Sequence, residues 1–322
     1  MSEIMTPLEF SKKYTKLWQY LYPLEGSVNG APKPGGNTLK EGPTTLRVAT
    51  YRLGHSDWPG KFWPEISTFF KKPVTVKVTT ISGLPQEIPL TGAKAGGYFP
   101  YPFVGKGSPE QVQMAIQLIY RFHRASIAPQ EFVAANFVGL DCNGFVGNYI
   151  QRVVKGIDWL AQNNDEDPGP TTYMSALLEW PGSTEQVTDL DDMSEENTYL
   201  FGYCRDDGSI IDPSKGHYGH IMITSPGPGE LTHTANGIRV RVVESAGRVG
   251  VVSRYYNSAK VIHAAHGMVV YFDIEGGGHI PVRIARLKFD KDGWKAHHPT
   301  ARRKAAPHKP GPNGAKPGTP TS

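Results

Sequence analysis

The periodicity of the chain changes once, and that change constrains the fold more than any single residue does. Between Ser108 and Leu160, apolar residues recur at three- and four-residue steps, the spacing of helices that bury one face. SPEQVQMAIQLIYRFHRAS opens on a capping serine followed by a proline at the first helical position. A second helix is expected from Cys142 to about Leu160, with Phe145, Val146, Tyr149, Ile150, Val153 and Val154 on its buried stripe, and a third lies within TTYMSALLEW, stopping before Pro181. Beyond the acidic stretch TEQVTDLDDMSEEN the pattern becomes that of strands. YLFGYC, HIMIT, GIRVRVVES, MVVYFDI and PVRIARLKF are each bounded by Gly, Pro or Asp. Helices followed by antiparallel strands point to an α+β fold.

Residues 1–97 read differently. Phe10, Tyr14, Leu17, Trp18 and Leu21 fit one amphipathic helix over the first 22 residues, and the breaker-rich GSVNGAPKPGGNTLKEGPTT follows. Two β-like runs, TLRVATYRL and VTVKVTTI, flank the aromatic SDWPGKFWPEISTFF. No chemistry is evident here, so 1–97 is expected to be an accessory segment packed on a domain spanning 98–290. Residues 291–322, rich in Pro, Gly and basic side chains, are expected to be a flexible tail. Arg302, Arg303, Lys304, Lys309 and Lys316 in that tail account for the formal net charge of +4, leaving the rest near neutral and implying no nucleic-acid face. The N-terminus lacks the pattern of a secretory signal, and no run approaches about 18 uninterrupted apolar residues. The expectation is synthesis in the cytoplasm without a signal peptide, no membrane span, and export only by a route that reads no such signal. Two cysteines are too few for a disulfide framework in 322 residues and suit reduced thiols.

One of those thiols stands where chemistry is favoured. In GLDCNGFVGNYI, Cys142 precedes Phe145 by three and Val146 by four, which puts it at the N-terminal end of a buried helix face, after Asp141 as the N-cap. A thiol in the first turn feels the positive end of the helix, which favours thiolate, and the unpaired N–H groups beside it can donate to an oxyanion. The same position also suits a small core residue, and placement alone does not decide between the two. The Asp141 charge opposes thiolate, so another group must supply activation.

A cysteine nucleophile needs a base held by a third group. His220 begins HIMIT, so it shares a strand face with Met222 and Thr224, while Ile221 and Ile223 take the other. His217, in the preceding turn, is the competing base. In IRVRVVES the alternation puts Glu244 on the apolar side with Ile238, Val240 and Val242, where a carboxylate needs a partner and an imidazole would supply one. If the strand stopped at Val243, Glu244 would instead turn into solvent; Asp212, His233 and Asn236 are lesser candidates for the orienting role. His217, His220, His233 and Cys204 could be read as a zinc site, but their spacing fits no standard ligand pattern, and no metal or cofactor is expected.

Gly-Leu-Asp-Cys-Asn-Gly-Phe-Val resembles the Asp-Cys-Ser-Gly-Phe/Leu-Val motif that opens the catalytic helix of NlpC-type peptidases in the papain-like superfamily. The order of Cys142, His220 and Glu244 follows that family's order of nucleophile, base and orienting residue. PYPFVGKGSP, with Tyr101, is similar to the family's upstream Pro-Tyr-x-Trp-Gly-Gly segment, whose tyrosine approaches the oxyanion site. Asn143 replaces the usual serine, Phe103 stands near the expected tryptophan, and Glu244 takes a place where His, Asn or Gln is common. The resemblance implies a papain-like fold, a catalytic helix on an antiparallel sheet, and a Cys142–His220–Glu244 triad. Tyr101, Asp141, Asn143 and His217 are then its oxyanion and substrate-binding candidates.

The implied activity is a cysteine peptidase or amidase acting on peptidoglycan stem peptides, often next to D-glutamate and diaminopimelate. A wall-directed enzyme without a signal peptide suggests an antibacterial toxin injected by a contractile secretion machine to act in the periplasm, or a phage-type lytic enzyme. Its partners would be that machine and a cognate immunity protein. Two other classes fit the residues: a papain-like hydrolase or acyltransferase working on a protein or lipid, and a binding module that has lost the chemistry.

Overall fold

A computed structural model describes residues 5–21, 42–48, 51, 58–123, 128–161, 169–211, 219–235, 237–247, 249–273 and 278–288. Helix α1 (Pro7–Thr15) starts at a reciprocal cap in which the Thr6 hydroxyl accepts from the Glu9 N–H and the Glu9 carboxylate accepts from the Thr6 N–H. The helix expected over 22 residues ends at Thr15. Leu17–Leu21 is instead strand β1, paired antiparallel with β2 (Gly42–Leu46). LWQYL is short enough to satisfy either period, with Leu17 buried and Trp18 49% exposed, and the partner strand decides.

Helix α2 (Trp58–Ser67), the hairpin of β3 (Val74–Thr79) and β4 (Pro85–Leu90), and α3 (Gly92–Tyr98) follow. After a 3-10 turn at Tyr101–Val104 comes α4 (Pro109–Leu118), whose expected Ser108 cap is present. Gln113 and Gln117 on α4 act toward β3 as a neighbouring strand would: each side-chain amide both accepts from and donates to one backbone residue, Thr79 and Lys77 respectively, at 2.7–3.0 Å. Short α5 (Pro129–Phe132) leads to α6 (Cys142–Tyr149), which continues through a π-helical turn at Ile150–Val154, and α7 (Met174–Leu178) closes the helical half. The run expected to reach Leu160 stops early because Gly156 adopts φ 64°, a left-handed conformation that ends a helix.

The strands are β5 (Thr184–Gln186), β6 (Tyr199–Tyr203), β7 (Ile221–Thr224), β8 (Leu231–Thr234), β9 (Gly237–Ala246), β10 (Gly250–Ala264), β11 (Gly267–Asp273) and β12 (His279–Leu287). Antiparallel pairing runs β9–β10–β11–β12–β6–β7 and returns to β9, closing a six-stranded barrel with β8 and β5 added on β9 and β12. The alternation read from the sequence divides the apolar residues between two cores. Phe201, Met222, Val240, Val242, Phe272 and Ile284 fill the barrel. Leu200, Ile221, Ile223, Val243 and Val251 face outward into the helical core.

Residues on the two sides of position 97 pack on one another. Phe10 of α1 has its ring centroid 5.8 Å from that of Phe145 and 5.7 Å from that of Tyr149, both on α6. The Tyr14 hydroxyl donates to the Gly107 carbonyl at 3.1 Å, and the Tyr149 hydroxyl to that of Met5 at 3.0 Å. The N-terminal residues therefore complete the core on which the candidate nucleophile's helix rests.

Candidate active site

The first turn of α6 is held by the loop that follows the 3-10 turn. Gly105, at φ 79°, presents its carbonyl to the Asp141 N–H at 3.0 Å. A Cβ on Gly144 would meet that same carbonyl oxygen at 1.9 Å, so glycine is required there for space. The Lys106 carbonyl accepts from Asn148 Nδ2 at 3.0 Å, and Gly139 N–H donates to the Pro102 carbonyl at 3.1 Å. Asp141 is the N-cap, its Oδ1 accepting from Gly144 N–H at 2.5 Å, while its Oδ2 lies 2.6 Å from Lys106 Nζ. Burial pushes the Asp141 carboxyl above its ordinary range despite that cation.

Cys142 is buried, and its thiol meets the His220 ring. His220 Nε2 lies 2.5 Å from Glu244 Oε2, leaving Nδ1 as the ring nitrogen for the sulfur. The other carboxylate oxygen, Glu244 Oε1, accepts from the Tyr256 hydroxyl at 2.9 Å and pairs with Arg254 Nε at 2.8 Å. One oxygen is thus fixed by β10, and the other is aimed at the imidazole. The Tyr203 ring packs edge-on against His220 at 5.1 Å. Strand geometry explains the meeting. Ile223 of β7 is registered with Val243 of β9, so His220, just before β7, and Glu244 emerge on the same barrel-facing side near one end of the pair.

Burial works against ionisation of the thiol, but the His220 hydrogen bond and charge outweigh it and hold Cys142 below the ordinary thiol range; Asp141 opposes and the Ile221 N–H assists. Burial likewise opposes the imidazolium, yet Cys142 and Glu244 together push His220 up to about 9. Glu244 is held below its ordinary range, since His220, Arg254 and Tyr256 overcome its desolvation. The arrangement favours a thiolate–imidazolium pair beside an ionised carboxylate. Cys204 differs sharply: burial pushes its thiol up to about 12.

Of the residues expected from sequence, Cys142, His220 and Glu244 come together, with Asp141 as cap. Asn143 Oδ1 is 4.0 Å from the sulfur. Tyr101 lies in the 3-10 turn, packed against the helical core and beside Tyr98, and is not among the groups described around the thiol. The tyrosine at the sulfur is Tyr51, its hydroxyl 3.8 Å from Sγ and also within reach of the Cys142 N–H. Burial raises its pKa well above the ordinary phenol value, so it keeps its proton and remains a donor. The PYPFVGKGSP segment thus braces the candidate nucleophile's helix, and TLRVATYRL, read as inert, supplies the hydroxyl. His217, Asp212 and Asn236 lie outside the described residues. His233 Nε2 is 3.0 Å from the Met193 carbonyl oxygen, and among the described residues no group of three or more His, Cys, Asp or Glu is arranged to hold a metal.

Arg254 and Tyr256 stand on β10, a strand absent from the set expected from sequence. In GVVSRYYNSA the spacing of Val252, Arg254 and Tyr256 places them on one face, and Tyr256 lies in the barrel core. No family model, no curated protein and no solved structure matches the chain. No described helix is long and apolar enough to cross a membrane.

Proposed function

We propose that this protein is a cysteine-dependent amide hydrolase of papain-like type. The observation that carries the reading is His220, held by one ring nitrogen on a buried carboxylate while its ring meets a thiol in the first turn of a helix. In this reading the Cys142 thiolate attacks the amide carbonyl carbon, and the negative charge forming on the carbonyl oxygen is met by the Cys142 N–H and the Tyr51 hydroxyl. The His220 imidazolium gives its proton to the leaving amine as the C–N bond breaks, producing a thioester. Neutral His220 then takes a proton from water, which attacks the thioester; the acid departs and the sulfur–imidazole pair re-forms. Glu244 stays ionised throughout and fixes the ring.

The Cys142 motif's resemblance to NlpC-type peptidases supports a peptidoglycan stem peptide as substrate. With that substrate, an antibacterial toxin acting in the periplasm, with an immunity protein as partner, is the biological role that fits best. The test is incubation of the protein and its Cys142→Ala variant with purified peptidoglycan, followed by mass spectrometry of the released fragments. Fragments with a new amine and a new carboxylate are expected from the parent only. Identical release by both proteins removes the mechanism, and no release from either removes the substrate.

A further inference from the structure

Asp141 poses an electrostatic problem that its role as a cap does not solve. It is the residue before the nucleophile, it is buried, and its charge acts against the thiolate. The side-chain cation within contact of its carboxylate is Lys106, whose Nζ is 2.6 Å from Oδ2. Lys106 is not a surface lysine swinging onto a convenient acid. Its side chain is only 18% exposed, and its backbone is fixed on both sides, by Gly105 O on the Asp141 N–H and by its own carbonyl on Asn148 of α6. Two separate parts of α6 therefore hold the segment that delivers the ammonium, and Gly144 leaves the space that lets it approach.

We propose that Lys106 is a positioning residue for the reaction: it neutralises Asp141 so that the helix keeps its carboxylate cap without a net negative charge beside the Cys142 sulfur. This rests on the reading of Cys142 as nucleophile. The charges then balance in pairs, Lys106 with Asp141, His220 with Cys142 and Arg254 with Glu244. The titratable groups facing the sulfur are His220 before β7, Asp141 on its own element and Tyr51; Tyr203 and Glu244 flank it through the imidazole.

The experiment is the pH dependence of iodoacetamide alkylation, read separately at Cys142 and Cys204 by peptide mass spectrometry, in the full-length protein and three variants. Lys106→Met leaves Asp141 uncompensated, and the midpoint for Cys142 is expected to rise by about one pH unit. Asp141→Asn keeps a capping oxygen but leaves the lysine in excess, so the midpoint is expected to fall. The double variant is expected to return to the parent value, since both charges are gone. A purely structural role for Lys106 gives no such reversal of sign. Slow Cys204 labelling in each variant verifies folding, because that buried thiol is exposed on unfolding.

An unchanged midpoint in Lys106→Met, or shifts of the same sign in both single variants, overturns the proposal while leaving the nucleophile intact. Should Lys106→Met unfold, Lys106→Gln is read in its place: a rise of the Cys142 midpoint supports the proposal, and a fall or no change overturns it. If Cys142 in the parent reacts no faster than Cys204, the hydrolase reading fails, and the role of Lys106 fails with it.

Discussion

Glu244 ties the candidate site to the stability of the barrel. It is only 2% exposed, and its two oxygens serve His220 on one side and Tyr256 with Arg254 on the other. Its pKa is lowered from 4.5, so its contribution to stability is complete above that value and is lost as pH falls through the lowered one. His220 is raised from 6.5 to about 9, so its contribution is complete below 6.5 and is lost as pH rises through about 9. The melting temperature is therefore expected to fall as pH drops below 4.5 and the Glu244 contribution is lost, which a series of thermal melts checks. Glu244→Gln removes the charge that holds the imidazolium. The alkaline limb of hydrolysis is expected to move down by about one pH unit, and kcat/KM to fall at least about tenfold. A pH–rate profile unchanged in Glu244→Gln would assign the carboxylate to structure alone. Glu244 was legible in the sequence because alternation placed a charge on an apolar face. Tyr51 was not, because nothing local to TLRVATYRL indicates that it ends against a helix 91 residues later.

At the scale of elements, α6 is defined less by its own propensity than by what crowds it. Gly144 and Gly147 interrupt its apolar stripe, and added Cβ atoms would lie 1.9 Å from the Gly105 carbonyl oxygen and 2.2 Å from that of Gly169. Gly144→Ala is expected to cost about 1–3 kcal/mol in urea unfolding through overpacking, and to slow Cys142 alkylation by displacing the Gly105–Lys106 brace. Helix starts were readable wherever a cap was written in the chain, as at Ser108 and Asp141. Strand β10 was not, because its exposed half, with Lys260, His263 and Ala264, breaks the apolar rhythm. With it go Arg254 and Tyr256, the two residues that fix the far side of the Glu244 carboxylate.

For the molecule as a whole, helices then antiparallel strands were readable from the change of period, whereas barrel closure was not. Closure depends on β9 pairing with both β7 and β10, a long-range choice with no local signature. Nor did the sequence reveal that α1 packs on α6, since an amphipathic helix does not name its partner. The ring is unevenly sewn. Strand β9 meets β10 along Arg239–Ala246 but meets β7 only through Ile223–Val243 and Thr224–Val242. Short ladders open first in native-state fluctuations, so the β7 amides are expected to exchange with deuterium faster than those of β9 facing β10. His220 and Glu244 stand on opposite sides of that seam, so each opening parts the imidazole from its carboxylate and briefly undoes the arrangement on which the proposed reaction depends.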